Sequence, residues 1–207
     1  MTEDVTKLNY EIAHDWHAEK SALYDWRSQI DSFLKLLSLP LAKVLDVGCG
    51  DERDIRTFRE KGVNVEGLDY SHTSVEVLKQ KFPTGKFYEA DMRATGLESE
   101  SYDGIWACAS ILNLKKTDVP VALVEFNRIL KANGVLFISV KEGEGERMVP
   151  DKAGERFFSF YSEEELKRMI ESASFQVVHT EVMGDTFSLA SQGATLPRWI
   201  SLYAKKI

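Results

Sequence analysis

The stretch Val44-Leu45-Asp46-Val47-Gly48-Cys49-Gly50 joins an apolar run to two closely spaced glycines. The run from Lys43 to Val47 is short and rich in branched residues, which is typical of a buried strand. Glycines at the end of a strand let the backbone approach a ligand where a Cβ atom would clash. A helix beginning near Asp51 would present its free N–H groups to the same ligand. Because any tight turn can use Gly-x-Gly, the stretch needs support from elsewhere in the chain.

Beyond this turn, apolar runs and helical patterns alternate along the chain. Further apolar runs predict strands over 63–68, 86–90, 102–108 and 135–140, and two late strands over 175–182 and 199–204. Apolar residues three and four positions apart predict helices between these runs, and Ser162 with Glu165 forms a capping sequence for the last helix. This alternation predicts a mostly parallel sheet with helices on both of its faces.

Two other segments have patterns of their own. Residues 10–37 are predicted to form one helix, because Leu23, Trp26, Ile30 and Phe33 recur at helical spacing. The Gly- and Glu-rich segment 141–161 is predicted to be a loop that ends in aromatic residues.

Acidic residues mark the ends of the first three predicted strands. They are Asp46, Asp69 and Asp91, and Asp69 follows Gly50 by 19 residues. A carboxylate after the second strand can accept hydrogen bonds from both hydroxyls of a ribose, and ligands of such sheets bind beyond the carboxyl ends of the strands. Each acid taken alone is equally typical of a helix cap or a solvated loop, so the argument rests on their common register.

These motifs resemble those of the class I S-adenosylmethionine-dependent methyltransferases, and the resemblance runs from about residue 10 to the C-terminus. Residues 44–50 match the first motif of that family, and Asp69 and Asp91 match its ribose and adenine acids. The segment 103–107 matches its fourth strand, and 125–140 resembles the helix, turn and fifth strand that follow. The resemblance implies a three-layer, doubly wound Rossmann-like α/β fold with a seven-stranded sheet, mostly parallel, closed by a C-terminal antiparallel hairpin.

By this resemblance, residues 1–207 form a single methyltransferase domain, with an N-terminal helical lid over 1–40 and a Rossmann-like core over 41–207. The cofactor is S-adenosylmethionine, and its transferable methyl group passes to an acceptor. The residues expected to bind the cofactor are Asp46, Gly48, Cys49, Gly50, Asp69, Tyr70, Asp91, Met92, Ala109, Ser110, Leu112, Tyr10 and Trp16. No catalytic residue is assigned, because the sulfonium already activates the methyl group and a base is needed only for some acceptors.

The chain departs from the family pattern at two positions. The family usually has a third glycine two residues after Gly50, where this chain has Glu52, so we expect a side chain that crowds the cofactor or binds its amino group. Related enzymes often have histidine after the fourth strand, where this chain has Asn113. An amide is not basic at neutral pH, so a general base is not expected at that position.

Several other residues have two interpretations each. Tyr10 and Trp16 are either part of a lid over the cofactor or ordinary helix-packing aromatics. His14 and His17 are expected on an exposed polar face. The pair Arg147 and Arg156 either receives a carboxylate or is solvated among glutamates, and the latter is favoured. The aromatic cluster Phe157, Phe158 and Phe160 is expected to seal the last helix onto the sheet.

The composition of the chain limits the classes of binding partner that we expect. The 207 residues carry a formal net charge of −7, which argues against nucleic-acid and anionic-membrane surfaces. Neither a membrane-spanning run nor a signal sequence is evident, so a cytoplasmic location is expected, with Cys49 and Cys108 as reduced thiols. The four histidines and two cysteines have no metal-ligand spacing, so no metal is predicted. A small-molecule acceptor is favoured, and the oligomeric state stays open.

Two rival functions remain at this point. A nicotinamide-dependent oxidoreductase would place a third glycine at position 53, where this chain has Arg53. A non-catalytic protein that binds an adenosyl ligand or a partner on the same fold is kept open by Glu52 and Asn113.

Overall fold

The computed structural model describes residues 2–22, 24–184 and 198–207. In chain order, the helices are α1 (Thr2–Ile12), α2 (His14–Ser21), α3 (Arg27–Leu37), α4 (Arg53–Glu60), α5 (His72–Lys81), α6 (Val119–Ile129) and α7 (Glu163–Ser172). The strands are β1 (Lys43–Val47), β2 (Asn64–Asp69), β3 (Phe87–Glu89), β4 (Tyr102–Cys108), β5 (Leu130–Lys141), β6 (Glu146–Asp151), β7 (Gly154–Ser159), β8 (Phe175–Met183) and β9 (Trp199–Lys206).

Seven of these strands form one sheet in the order β3-β2-β1-β4-β5-β9-β8. Neighbouring strands from β3 through β5 are parallel, whereas β9 runs antiparallel to both β5 and β8. This arrangement confirms the predicted fold class. The register pairs Val47 with Leu68 and Leu68 with Tyr88, so the carboxyl ends of β1, β2 and β3 meet at one edge.

The sequence folds this way because helices cover both faces of the central strands. Val44, Leu45 and Val47 are fully buried on successive sides of β1, as a continuous apolar run predicts for a parallel strand. Serine caps begin two of the helices. Ser71 accepts a hydrogen bond from the Ser74 N–H at α5, and Ser162 accepts one from the Glu165 N–H at α7, which confirms the predicted cap.

An aromatic cluster at the centre of the molecule fixes α3 and α4 against the sheet. The Trp106 ring stacks on Phe137 with 3.8 Å between centroids, and Phe33 and Phe58 pack edge-on against it at 5.4 and 5.5 Å. The indole N–H of Trp106 donates to the Asp54 carboxylate at 2.9 Å, so its polar atom is satisfied inside the core.

The prediction of one helix over 10–37 is wrong, because this segment contains the end of α1 and all of α2 and α3. The apolar stripe belongs to α3, where Ile30 and Phe33 are fully buried, with Trp26 just before it; Leu23 lies outside the described residues. Tyr10 and Trp16 face a cavity, whereas the apolar stripe of α3 faces the core. One straight helix cannot turn these two sets of side chains towards both places.

The prediction of a loop over 141–161 is also wrong, because β6 and β7 form an antiparallel hairpin there. Strand β6 is only partly buried along its length, so it lacks the apolar alternation that reveals a strand in sequence. Its partner β7 buries Phe157 and Phe158. Pairing between the two strands, rather than local composition, decides this structure.

Among the described residues, no helix has the length and apolar character needed to cross a membrane.

Trp106→Ala should lower the free energy of unfolding by about 3–5 kcal/mol, because it opens a cavity at the centre of the core. It also removes a hydrogen bond from the buried Asp54. Val124→Ala is the control, because Val124 is 63% exposed on α6 and its truncation should change stability by less than about 0.5 kcal/mol. Urea unfolding followed by circular dichroism measures both variants, and equal midpoints would contradict this account of the core.

Candidate active site

The glycine turn after β1 is held against the loop that follows β4. Gly48 has φ +73°, and a Cβ atom built on it would lie only 2.4 Å from the Cβ of Ser110. The N–H groups of Gly48 and Cys49 both donate to the carbonyl of Leu68, at 2.7 and 3.1 Å. Only glycine satisfies the backbone angle and the close approach together, so the turn leaves room beside it for a ligand.

Asp69 ties the end of β2 to this turn. One carboxylate oxygen accepts from the Gly50 N–H and the other from the Ser71 N–H, both at 2.8 Å. Burial raises the pKa of Asp69, and these two backbone hydrogen bonds oppose that shift. The two bonds fix the direction of the carboxylate, and its remaining lone pairs are available to a ligand.

A cavity of about 130 Å³ lies in front of these strand ends. The predicted cofactor residues that line it are Asp69, Tyr70, Asp91, Met92, Ala109 and Ser110, together with Tyr10, Gly48 and Gly50. The hydroxyl of Ser110 is buried and has no hydrogen-bond partner among the residues that the structure describes. The structure therefore brings the second-, third- and fourth-strand residues to one place.

The carboxylate of Asp91 already accepts hydrogen bonds within the protein, which the sequence does not predict. The Arg93 guanidinium donates to both of its oxygens, the shortest bond being 2.6 Å, and the Arg93 N–H donates to it at 2.8 Å. Burial raises the pKa of Asp91, but the hydrogen bonds and charge of Arg93 outweigh burial and lower it overall. The carboxylate is held ionised and oriented at the cavity wall.

A second cavity of about 360 Å³ adjoins the first one. Its wall includes the other predicted residues Trp16, Cys49 and Leu112. Four residues line both cavities, namely Tyr10, Gly48, Gly50 and Ala109. The glycine turn is therefore part of the wall that the two cavities share.

Asp46 is the predicted site residue that lines neither cavity. It is buried beneath the turn, and one of its oxygens has no hydrogen-bond partner among the described residues. Burial raises the pKa of Asp46 well above its usual range, and the nearby charge of Asp54 adds to the shift. Its position on β1, inside the register of the sheet, explains why it lies under the site and not on its wall.

Helix α1 and the β6–β7 hairpin meet over the site. The Tyr10 hydroxyl donates to the Asn113 side-chain oxygen at 3.2 Å and accepts from the Arg156 guanidinium at 2.7 Å. Thr6 accepts from the Phe157 N–H at 2.9 Å. Burial raises the pKa of Tyr10, with the charge of Arg156 opposing the shift. These bonds join residues of the two cover elements directly.

The expectation that His14 and His17 lie on an exposed face is wrong, because both line the larger cavity. His17 is hydrogen-bonded to Asn9 at 2.9 Å, and its ring packs 4.6 Å from that of Tyr10. Burial, together with the positive charge of Arg156, lowers the pKa of His17 to about 4, so the ring is neutral at pH 7. The buried Nε2 of His14 has no hydrogen-bond partner among the described residues.

Glu52 does not crowd the cavities. It has φ −84°, which any residue adopts, and its carboxylate pairs with Arg56 at 2.7 Å and Lys81 at 3.5 Å. It lines neither of these two cavities, but it lines a third one of about 320 Å³ that shares Tyr24, Trp26 and Arg53 with the larger cavity. Asn113 has a structural task, because its amide donates to the Phe157 carbonyl at 2.8 Å while its oxygen accepts from Tyr10.

Sequence reasoning missed part of the larger cavity's wall. Arg156 was expected to be solvated and Phe158 to seal α7, yet both line the cavity. Three further wall residues, Arg53, Lys141 and Trp199, were not assigned to the site at all. Arg53 follows the glycine turn directly, whereas no local signal identifies Lys141 and Trp199, which pair across β5 and β9.

Comparison with known proteins agrees with this geometry. Residues 45–138 match the family model described as "Methyltransferase domain". The chain is 31% identical over 123 residues to the ubiquinone/menaquinone biosynthesis C-methyltransferase UbiE of Campylobacter jejuni, covering 55% of this chain and 51% of that protein. The chain thus spans about half the length of this relative.

Two solved structures share the fold over nearly the whole chain. The 1,6-didemethyltoxoflavin-N1-methyltransferase of Burkholderia thailandensis, solved with 1,6-didemethyltoxoflavin and S-adenosylhomocysteine, has a TM-score of 0.75 at 19% identity, covering 98% of this chain and 88% of that one. An S-adenosylmethionine-dependent methyltransferase from Clostridium acetobutylicum has a TM-score of 0.71 at 15% identity, covering 96% and 99%.

The architecture is therefore that of the Rossmann-like methyltransferases. Residues 45–138 therefore resemble a methyltransferase domain, as the sequence motifs predict, and the whole chain shares its fold with solved S-adenosylmethionine-dependent methyltransferases.

Gly48→Ala tests the close approach at the turn, with Gly62→Ala as its matched control. Both glycines have φ near +74°, at +73° and +75°, but a Cβ at Gly62 meets no atom within 4 Å. Backbone strain is thus common to both variants, and the clash with Ser110 is added only at Gly48. We expect Gly48→Ala to lose about 1–3 kcal/mol more unfolding free energy than Gly62→Ala in urea titrations. Equal losses would show that the approach to Ser110 is not tight.

Proposed function

We propose that this protein transfers a methyl group from S-adenosylmethionine, bound in and beside the smaller cavity, to a small molecule bound in the larger one. The observation that carries the proposal is the shared boundary of the two cavities at Gly48, Gly50 and Ala109. A two-substrate transfer needs the reacting atoms to meet, and a common wall made of glycine and alanine leaves room for that meeting.

The residues present suit an adenosyl ligand. Asp69 is oriented to accept the ribose hydroxyls, and Asp91 and Met92 lie at the same cavity wall for the adenine.

Two buried polar atoms of the site have no hydrogen-bond partner among the described residues, namely the hydroxyl of Ser110 and the Nε2 of His14, and a ligand can satisfy them. Tyr70, 42% exposed, flanks the cavity with the ammonium of Lys7 at 4.2 Å from its ring centroid. Asp46 supports the turn from beneath.

The chain's contribution to the reaction is binding, orientation and exclusion of water. When bound, S-adenosylmethionine supplies an electrophilic methyl on a sulfonium, so no metal or covalent enzyme intermediate is required. The acceptor's lone pair forms the new bond to the methyl carbon as the S–CH₃ bond breaks, and that electron pair stays on sulfur as a neutral thioether. Positioning of this kind contributes up to about 7–11 kcal/mol to lowering the barrier.

The proposal includes a lid over the site, but one that is shorter than the segment 1–40. Helix α3 packs into the core through Ile30 and Phe33, whereas Tyr10 of α1 and Trp16 of α2 line the cavities. We therefore assign the lid to α1 and α2 and not to the whole segment 1–40. The cytoplasmic location and the lack of nucleic-acid and membrane partners stay predictions of the sequence.

Two observations weigh against the rival functions. Glu52, which motivated a non-catalytic role, pairs with Arg56 and Lys81 and lines neither of the two cavities of this proposal. Arg53 occupies the position of an oxidoreductase's third glycine and is paired with the buried Asp54 at 2.7 Å.

Asp69→Asn tests the cofactor site by calorimetry with S-adenosylmethionine, S-adenosylhomocysteine and, as a control ligand, NADH. We expect micromolar binding of the two adenosyl ligands and none of NADH. Charge-assisted hydrogen bonds are worth about 1.5–3 kcal/mol, so the variant should bind roughly 10–100-fold more weakly.

Asp103→Asn is the matched control, because Asp103 accepts the Lys43 backbone N–H at 2.8 Å from the opposite edge of the sheet. It should keep wild-type affinity. Absence of adenosyl binding by folded wild-type protein would overturn the proposal. Binding without S-adenosylhomocysteine formation across a library of small hydroxyl, amine and carbon acids would favour the non-catalytic alternative.

A further inference from the structure

The larger cavity has a largely aromatic wall on the side away from the glycine turn. Tyr24, Trp26, Phe158 and Trp199 line it. Trp199 meets Tyr24 and Trp26 edge-on, with centroid distances of 5.8 and 5.7 Å. Edge-to-face packing holds these rings in fixed orientations, so they present a rigid apolar surface to a ligand. A volume of about 360 Å³ suits a molecule with one or two rings.

Lys141 brings a positive charge to this aromatic wall. It is the last residue of β5, and its ammonium lies 4.0 Å from the centroid of Phe158 and 5.8 Å from that of Trp199. Within the described ranges, no carboxylate is paired with it and no hydrogen bond is made by its ammonium. The strand position fixes its backbone, because Lys141 pairs with Trp199 of β9 and its carbonyl accepts the Tyr161 N–H at 3.1 Å.

The two arginines of the same wall are already satisfied. Arg53 forms a two-pronged pair with Asp54, and Arg156 pairs with Asp151 while donating to the Tyr10 hydroxyl. Lys141 differs from both, since its contacts are with ring faces alone. A half-buried ammonium without an anion is costly, and an anionic ligand that enters the cavity removes that cost.

One half-buried ammonium suits a ligand with one negative charge. Asp51 also lines the cavity, Asp54 is paired with Arg53, and Lys20, the other lysine of this wall, is exposed to solvent. One carboxylate on a planar ring system satisfies Lys141 and leaves an apolar body for the aromatic rings.

We infer that the larger cavity takes a planar aromatic monocarboxylic acid as the methyl acceptor, with its carboxylate held by Lys141. The inference rests on the proposed function and names the acceptor class for the same site. Lys141 is a specificity-determining residue in this role and changes no bond. The carboxylate is the anchor, and the atom that receives the methyl group lies elsewhere on the ring system, towards Gly48 and Ala109.

The test uses folded protein saturated with S-adenosylhomocysteine, so that the cofactor site is occupied in every titration. The probes are 1-naphthoate and 1-naphthamide, which have the same ring system and differ in charge. Calorimetry should show that naphthoate binds at least about 10-fold more tightly than naphthamide, as expected for a hydrogen bond between charged groups. Equal binding, or no binding of either probe, would overturn the inference.

Lys141→Met should bring the affinities of the two probes within about 2-fold, because it keeps the stem of the side chain and removes the charge. Lys141→Arg should retain the preference for naphthoate. Lys131→Met is the matched control, because Lys131 is at the other end of β5 and pairs with Asp103 at 2.8 Å. It makes the same change of charge and should leave the preference intact.

The pH dependence of naphthoate binding tests the role of Lys141 independently. Burial and the positive charges of Arg156 and Arg147 on the neighbouring hairpin lower the pKa of Lys141 to about 8, and the negative charge of Asp151 opposes this shift. Wild-type affinity for naphthoate should therefore fall between pH 7 and pH 9, as the ammonium loses its proton. The Lys141→Arg variant should keep its affinity over this range, and a parallel fall in both proteins would count against Lys141.

The cofactor titration separates this inference from the proposed function. If Lys141 instead holds the carboxylate of S-adenosylmethionine, Lys141→Met will weaken S-adenosylhomocysteine binding about 10-fold or more and the inference fails. If the adenosyl ligands bind normally and naphthoate is not preferred, the acceptor class is wrong while the proposed function stands.

Discussion

At Gly48 the backbone after β1 passes so close to the loop after β4 that a side chain would overlap Ser110. The same turn donates its next N–H groups to Leu68 and Asp69, so the ends of β1, β2 and β4 are bound to one another at this point. The two cavities share Gly48 and Gly50 of this turn, where no side chain stands between them. Every other part of the site is placed relative to this contact.

Beneath the turn, buried charges link the core to the cover. Asp54 accepts from Trp106 in the aromatic cluster and from Arg53, and Arg53 reaches the hydroxyl of Ser21 at the end of α2 at 2.8 Å. The neighbouring Asp46 has its pKa raised by burial and by Asp54, so a second full negative charge is disfavoured there. The position of α2 thus depends on a network that begins in the centre of the fold.

The cover of the site comes from two segments that are far apart in the chain. Tyr10 and Arg156 are 146 residues apart and bind each other directly, and Thr6 receives the N–H of Phe157. Helix α1 lines both cavities through Tyr10, whereas the hairpin lines only the larger one, through Arg156 and Phe158. Lys141 lies against Phe158 of this hairpin, which places its ammonium at the wall of the larger cavity.

The sequence by itself determined the fold class, and it predicted residues that the fold brings to the walls of the two cavities. Strands such as β1 and β4 were predicted with their observed ends, and all of the predicted site residues except Asp46 line one of the cavities. The reason is that apolar periodicity, glycine turns and acids at strand ends are local signals. A parallel sheet then brings its strand ends to one edge without further information.

Only the tertiary structure decided the direction of Glu52, the burial of the α2 histidines, the β6–β7 hairpin and the wall around Lys141. Each of these depends on contacts between segments that no local pattern connects. Glu52 turns away because Arg56 and Lys81 attract it, and His17 becomes neutral because Arg156 and burial act on it together. Local patterns determine which elements form, whereas side-chain direction and charge state follow from packing between distant elements.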